Sequence, residues 1–115
     1  MAAPVLFNAL FPNPLHKHAT GSKNLVIIIA TELRLGDSVN VSGTHGAKPT
    51  TWYGTITSHV AGPVWMSDDL DVDHEEQRKG PEADAAGGTE DVSVTVTNPT
   101  HTSNNVIVPG TPIIP

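Results

Sequence analysis

Four acidic residues stand at alternating positions and are the first candidates for a metal site. They are Asp69, Asp71, Asp73 and Glu75. The spacing is similar to that of the first ligands in an EF-hand calcium loop, whose sixth position is glycine and whose twelfth is glutamate. Here those positions hold His74 and Gly80, so the stretch is not an EF-hand. Between a looser calcium site and a solvated acidic strand edge, we favour the edge, because charged edges prevent sheets from pairing with one another.

Histidine, serine and glycine residues offer little else for catalysis. His16 and His18 would share one face of an extended chain and could bind a metal, but the sequence places no third ligand near them. The chain has no cysteine, which excludes disulfides, thiolate metal sites and cysteine nucleophiles. The sequence has no Gly-x-Ser-x-Gly motif and no glycine-rich phosphate loop. It therefore predicts a protein that is not an enzyme and that needs no cofactor or metal.

Three aromatic residues could instead form a carbohydrate-binding surface. The candidates are Trp52, Tyr53 and Trp65, because an aromatic ring offers both an apolar face and a polar group. The chain has few other large side chains, so we expect at least one tryptophan to fill the core. Trp65 stands among the polar positions of its segment and is the better candidate for a contact residue.

The composition indicates which elements carry these residues. The chain has 115 residues, the size of one domain. Valine, isoleucine and threonine together number 32 against 7 leucines, and glycine and proline contribute 10 residues each. β-Branched side chains favour strands, and glycine and proline favour turns, so we exclude a helical bundle and predict an all-β domain. Aromatic residues make up only 4% of the chain, which predicts a thin core of aliphatic side chains.

The negative charge is concentrated in one region. Ten of the twelve acidic residues lie in residues 67–91, and the formal net charge of the whole chain is −6. Nucleic-acid binding needs a basic surface, which this sequence does not provide, so nucleic acid is not an expected partner. The longest apolar run, residues 25–30, is too short to span a membrane, and residues 1–15 do not have the form of a signal peptide. We expect a soluble protein made in the cytoplasm.

The first 23 residues predict an extended arm that docks on another surface, and residues 109–115 predict a proline-rich tail. Prolines interrupt the arm, and an extended segment cannot bury its apolar side chains against one another. They must lie on the chain's own domain or in a groove of another subunit; the alternative is a disordered tail. The residues expected to contact a partner are Val5, Leu6, Phe7, Leu10 and Phe11 in the arm, and Leu25, Ile27, Ile29 and Trp65 beyond it.

Residues 24–108 predict a β-sandwich of about five to seven short strands. The clearest strand is residues 92–97, where valine alternates with serine and threonine. Residues 25–30 indicate a strand that is covered on both faces or that pairs edge-on with another subunit. Residues 64–73 alternate as one strand, with valine, methionine and leucine on the inner face and acidic residues on the outer face. Residues 74–88 predict a long exposed loop.

Three stretches resemble the IPT/TIG family of immunoglobulin-like domains. Residues 35–44 (LGDSVNVSGT) resemble the family's early strand, with its G-x-x-V-x-I-x-G-T pattern. Residues 66–72 (MSDDLDV) are similar to its v-S-D-t-x-L-x-v strand. Residues 88–99 (GTEDVSVTVTNP), with residues 102–104 beyond, are similar to its closing segment, G-t-v-d-V-x-V-T-N-p-x-G-x-S-n. The order and spacing of these stretches match those of the family as well.

The resemblance implies an immunoglobulin-like β-sandwich that binds rather than catalyses. Such domains occur in receptors, transcription factors, accessory modules of polysaccharide enzymes, and virion proteins of tailed phages. A single copy with an apolar arm and a proline-rich tail looks most like the last group. We therefore expect a capsid decoration protein on the exterior of a virion, bound to the major capsid protein as a homo-oligomer, for example a trimer. The alternatives are a carbohydrate-binding or adhesive surface module and a component of the tail or of head closure.

Overall fold

The computed structural model describes residues 3–16, 24–43, 50–72 and 88–114, and it is all-β in these ranges. The strands found there are β1 (Leu6–Leu10), β2 (Leu15–His16), β3 (Ile27–Ala30), β4 (Ser38–Gly43), β5 (Thr51–Ala61), β6 (Val64–Ser67), β7 (Asp71–Val72), β8 (Gly88–Thr97) and β9 (Val106–Ile114). None of these ranges contains a helix that could span a membrane. The prediction of an all-β domain is confirmed.

The strands form one curled sheet with the order β1, β3, β6, β5, β4, β8, β9, β2, and β7 pairs with β5 beside this path. The pair of β2 and β9 is parallel, and the other pairs are antiparallel. β5 joins the two halves of the sheet, because its first residues pair with β4 and β7 and its last residues pair with β6. One half of the sheet contains β1, β3 and β6, and the other contains β4, β8 and β9, so each half has an outer face of its own.

The first two strands, β1 and β2, lie at opposite ends of this order. The curl of the sheet brings β1 against β9, and we call this contact the seam. The side chain of Asn104, just before β9, is hydrogen-bonded to β1. The Leu6 amide donates to its Oδ1 atom at 2.8 Å, and its Nδ2 atom donates to the Leu6 carbonyl at 3.0 Å. Leu6, Ala9 and Leu15 are buried in the core. The described part of the predicted arm thus packs on the chain's own domain, one of the two places that the sequence allowed.

Asn104→Ala should loosen β1, because both hydrogen bonds to Leu6 would be lost. A hydrogen bond contributes about 1 kcal/mol net, so we expect the free energy of unfolding to fall by about 2 kcal/mol. The Leu6 amide should also exchange with solvent faster, which hydrogen exchange followed by NMR measures. Asn105→Ala is the matched control, since the Asn105 side chain is hydrogen-bonded to Ser93 instead. Unchanged exchange at Leu6 in Asn104→Ala would contradict this description of the seam.

Side chains that alternate along the strands fill the core. On β4 and β8 the valines are buried, and the serines and threonines between them are partly or fully exposed, as their alternation predicts. Trp52 on β5 is the largest fully buried side chain, which confirms that a tryptophan fills the core. Its Nε1 atom donates a hydrogen bond of 2.8 Å to the backbone carbonyl of His16. Trp52 therefore also holds β2 in place.

The acidic stretch forms two strands, β6 and β7, so the prediction of one continuous strand is wrong. Between them, Asp68 Oδ1 accepts a hydrogen bond from the Thr55 amide at 3.0 Å, and the Asp68 amide donates to the Thr55 carbonyl at 3.0 Å. Gly54 permits this approach, because a Cβ atom there would lie 2.5 Å from Asp68 Oδ1. The irregularity reverses the side-chain alternation. Val64 and Met66 on β6 consequently face outward, whereas the apolar residues that follow are buried.

β9 continues through the residues that predict a tail. It pairs with β8 as far as Ile113, which is buried and lies beside Leu15 of β2. Gly110 has a φ of 64°, which glycine adopts without strain, and it lies in a bulge of β9, where two residues oppose Asp91 of β8. The predicted boundary after residue 108 therefore falls inside a strand.

Candidate interaction surface

The residues predicted to contact a partner lie in different environments. Leu6 is only 3% exposed and belongs to the core, so it offers no surface to a partner in this fold. Trp65 faces inward beside Ile28, and the ring of His59 stacks on it with the centroids 4.0 Å apart. Phe11 is half-buried against the core, and Val5 is exposed just before β1. The remaining residues lie on the outside of the sheet: Phe7, Leu10, Leu25, Ile27 and Ile29.

Six apolar side chains on β1, β3 and β6 form a contiguous surface, which we call the outer apolar face. They are Phe7, Leu10, Ile27, Ile29, Val64 and Met66. The register aligns Leu10, Ile27 and Met66 in one row, and it aligns Ile29 with Val64 in the next. The same two rows also contain Asn8, Ser58 and Ala61. None of these positions carries a charge.

A β-bulge produces the most exposed side chain of the outer apolar face. The register shifts between Leu6 and Asn8, so Phe7 and Asn8 together oppose Ile29. Phe7 is 62% exposed, and Leu10 on the same strand is 43% exposed. The other four side chains of the face are partly exposed, and contiguous apolar surface of this kind is typical of a contact site.

In this half of the sheet, β1 and β3 offer a partner the outer apolar face rather than a strand edge. β3 is paired with β1 on one side and with β6 on the other, so it cannot also pair edge-on with another subunit. On the side of β1 away from β3, the Leu6 amide donates to Asn104, and the Ala9 amide donates to Oδ1 of Asn8 at 2.8 Å. Side chains that occupy an edge in this way hinder the addition of a further strand.

Two of the four acidic residues considered for calcium binding lie in the described part of the chain, and one of them stabilises the fold. Asp69 Oδ1 accepts a hydrogen bond from the Asn24 amide at 2.7 Å, and Asp71 lies exposed on β7. Three other candidates lie outside the described residues: Asp73, Glu75 and His18. Most of the predicted loop of residues 74–88 lies outside them too. Among the described residues, no three histidine, cysteine, aspartate or glutamate side chains are grouped as a metal site requires.

The three aromatic candidates for carbohydrate binding do not form one surface. Trp52 is fully buried, Trp65 is half-buried on the inner side, and Tyr53 is 47% exposed on the outer side. Neighbouring residues of a strand point to opposite faces, which separates Trp52 from Tyr53. Of the three, Tyr53 is the one that is available for stacking on a ligand.

The described residues thus define an all-β domain with an uncharged apolar face on one half of its sheet. No family model, curated protein or solved structure matches this chain. Function therefore has to be inferred from the residues and their geometry.

Proposed function

We propose that this chain is a non-enzymatic structural protein of a virus particle and that it decorates the exterior of the capsid. The outer apolar face carries the proposal: its apolar side chains are contiguous and without charge, although the chain has a net charge of −6. Such a face binds a protein partner by removing apolar area from water. The resemblance to immunoglobulin-like virion domains points to the major capsid protein as that partner.

The finer fold that we propose is an immunoglobulin-like β-sandwich. Two observations support it: β5 passes from one half of the curled sheet to the other, and β1 and β2 divide between the two ends. Both are expected when two layers of antiparallel strands enclose one core. An experimental structure with two facing sheets would test this description.

The small size of the outer apolar face favours binding as an oligomer. Neighbouring strands are about 4.8 Å apart, so β1, β3 and β6 span about 10 Å. A stable interface usually buries about 800 Å² on each partner, which is more than three such short strands provide. Several linked copies bind a repeating lattice far more tightly than one copy does. We therefore propose a homo-oligomer on the capsid, with a trimer as the form to test first.

Co-sedimentation tests this function with the full chain. Capsids would be prepared from the virus that encodes the chain, after deletion of its gene, and mixed with purified chain. We expect saturable binding at a fixed number of copies per capsid, and light scattering should show a small oligomer. Failure to bind these capsids would contradict the proposal. Point variants are needed for mapping the contact, because deletion of residues 1–15 would remove Leu6, Ala9 and Leu15 from the core.

A further inference from the structure

The outer side of the other half of the sheet carries a regular array of polar side chains, which we call the polar grid. β4 lies in its centre and contributes Ser38, Asn40 and Ser42. The register places three residues of β5 on one side and three of β8 on the other, with Tyr53 and Thr95 flanking Asn40. The remaining positions are threonine or serine. Every residue of the grid therefore has a hydroxyl or an amide group.

The nine positions of the polar grid carry no charge, and one acidic residue borders them, because Asp71 of β7 is exposed and pairs with Tyr53. Ten of the twelve acidic residues of the chain fall within residues 67–91, yet none of them is a member of the grid. A surface rich in hydrogen-bonding groups, with a single carboxylate at its border, complements a neutral polar ligand better than an anionic one, because the carboxylate repels like charge.

The side chains of the polar grid provide the contacts that a sugar needs. Tyr53 is 47% exposed, so its ring has an apolar face on which a sugar ring can stack. Asn40 is exposed beside it and offers both a donor and an acceptor, as do the surrounding hydroxyl groups. Two of those hydroxyls are already oriented at the β8 side, where Ser93 is hydrogen-bonded to Asn105 and Thr97 to Thr102.

The backbone beneath the polar grid is held in place from both sides. β4 pairs with β5 along one edge and with β8 along the other, and the valines of β4 and β8 anchor this part of the sheet in the core. Side chains on such a support lose little freedom when a ligand binds, which lowers the entropic cost of binding.

We propose that the polar grid binds a neutral oligosaccharide, with Tyr53 stacking on one sugar ring and Asn40 hydrogen-bonded to its hydroxyl groups. This inference goes beyond the proposed capsid function and does not rest on it, since the polar grid and the outer apolar face belong to different halves of the sheet. A copy bound to a particle through one face could hold a glycan on the other.

A glycan array of neutral and charged oligosaccharides, probed with the full chain, tests the proposal, and calorimetry then gives the affinity for the best neutral ligand. We expect Tyr53→Ala to weaken that binding about tenfold, as loss of an aromatic contact implies. Tyr53→Phe should stay within about threefold of the original affinity, because the ring remains. Asn40→Ala should weaken binding severalfold. Val60→Ala, at a residue 57% exposed near the far end of β5, is the matched control and should change nothing.

Three results would overturn the proposal: no binding to any neutral glycan, binding to charged glycans alone, or affinity that Tyr53→Ala leaves unchanged. Circular dichroism of each variant establishes that it is folded. Capsid co-sedimentation of Tyr53→Ala separates this proposal from the capsid function, because that variant should bind capsids as the original chain does. Loss of glycan binding with capsid binding retained is the expected combination.

Discussion

Phe7→Lys should reduce binding of the chain to capsids at least about tenfold while the fold stays intact. Phe7 is 62% exposed at the bulge of β1, so the fold tolerates a polar side chain there. Full burial of a large apolar side chain stabilises a contact by about 1.5–3 kcal/mol, and each 1.4 kcal/mol changes an equilibrium about tenfold. The lysine would also bring a charge into an apolar contact. In an oligomer every copy loses this part of its binding free energy, so the effect on capsid binding is multiplied.

Leu35→Lys is the matched control for this variant. Leu35 is 64% exposed in the turn before β4 and is outside the outer apolar face, so the same type of change should leave capsid binding as it was. Leu10→Lys should behave like Phe7→Lys, because Leu10 belongs to the face. Co-sedimentation isotherms measure binding, and thermal unfolding followed by circular dichroism measures the fold. Equal binding losses for Phe7→Lys and Leu35→Lys would contradict docking through this face.

Trp52→Ala should have the largest effect on stability of any single change considered for this chain. Trp52 is fully buried, and truncation of a buried tryptophan costs about 3–5 kcal/mol. Domains of this size are stable by only about 5–15 kcal/mol, so much of the free energy of unfolding would be lost. The change also leaves the His16 carbonyl without the hydrogen bond from Trp52 Nε1. We expect a much lower midpoint in urea unfolding.

Tryptophan-to-phenylalanine variants separate packing from hydrogen bonding. Trp52→Phe keeps an aromatic ring but loses the bond to His16, and an unpaired buried group costs about 1–3 kcal/mol. Trp65→Phe is the matched control, because Trp65 Nε1 is buried with no hydrogen-bond partner among the described residues. Trp65→Phe should therefore lower the free energy of unfolding by less than Trp52→Phe does. If Trp65→Phe lowered the urea midpoint as much as Trp52→Phe does, the importance assigned to the Trp52 bond would be wrong.

Strands that are identified by the alternation of their own residues could be predicted from the sequence. On β4 and β8, valine alternates with serine or threonine, and the alternation alone identifies the buried face. The core position of Trp52 follows from the shortage of other large side chains. These features need no knowledge of which strand lies next to which.

The placement of the chain's two ends could not be predicted, because their partners are remote in sequence. Leu6 is 98 residues from Asn104, to which it is hydrogen-bonded, and no local pattern encodes that contact. Prolines in these regions indicate irregular chain. Pro12 and Pro14 do lie between β1 and β2, but β9 accommodates Pro109 within the strand.

The sequence predicts that exposed apolar residues form the candidate surface, but it does not predict all the residues that belong to it. Exposure of apolar residues such as Phe7 and Leu10 follows from an arm too short to bury them all. The alternation of residues 64–73 predicts that Val64 and Met66 face the core, because the sequence does not reveal that Asp68 is hydrogen-bonded to the Thr55 backbone and reverses the alternation. The Ser-Asp-Asp run after Met66 is the signal that could have indicated the irregularity, since such side chains bond readily to nearby backbone.

A near-atomic electron cryo-microscopy reconstruction of capsids that carry this chain tests the central claim most directly. The account predicts density for the chain on the outside of the shell, with the side chains of Phe7, Leu10 and Ile29 within about 4 Å of capsid protein. The polar grid should face away from that contact. A reconstruction in which the outer apolar face is open to solvent, or in which the chain has no place on the particle, would contradict the account.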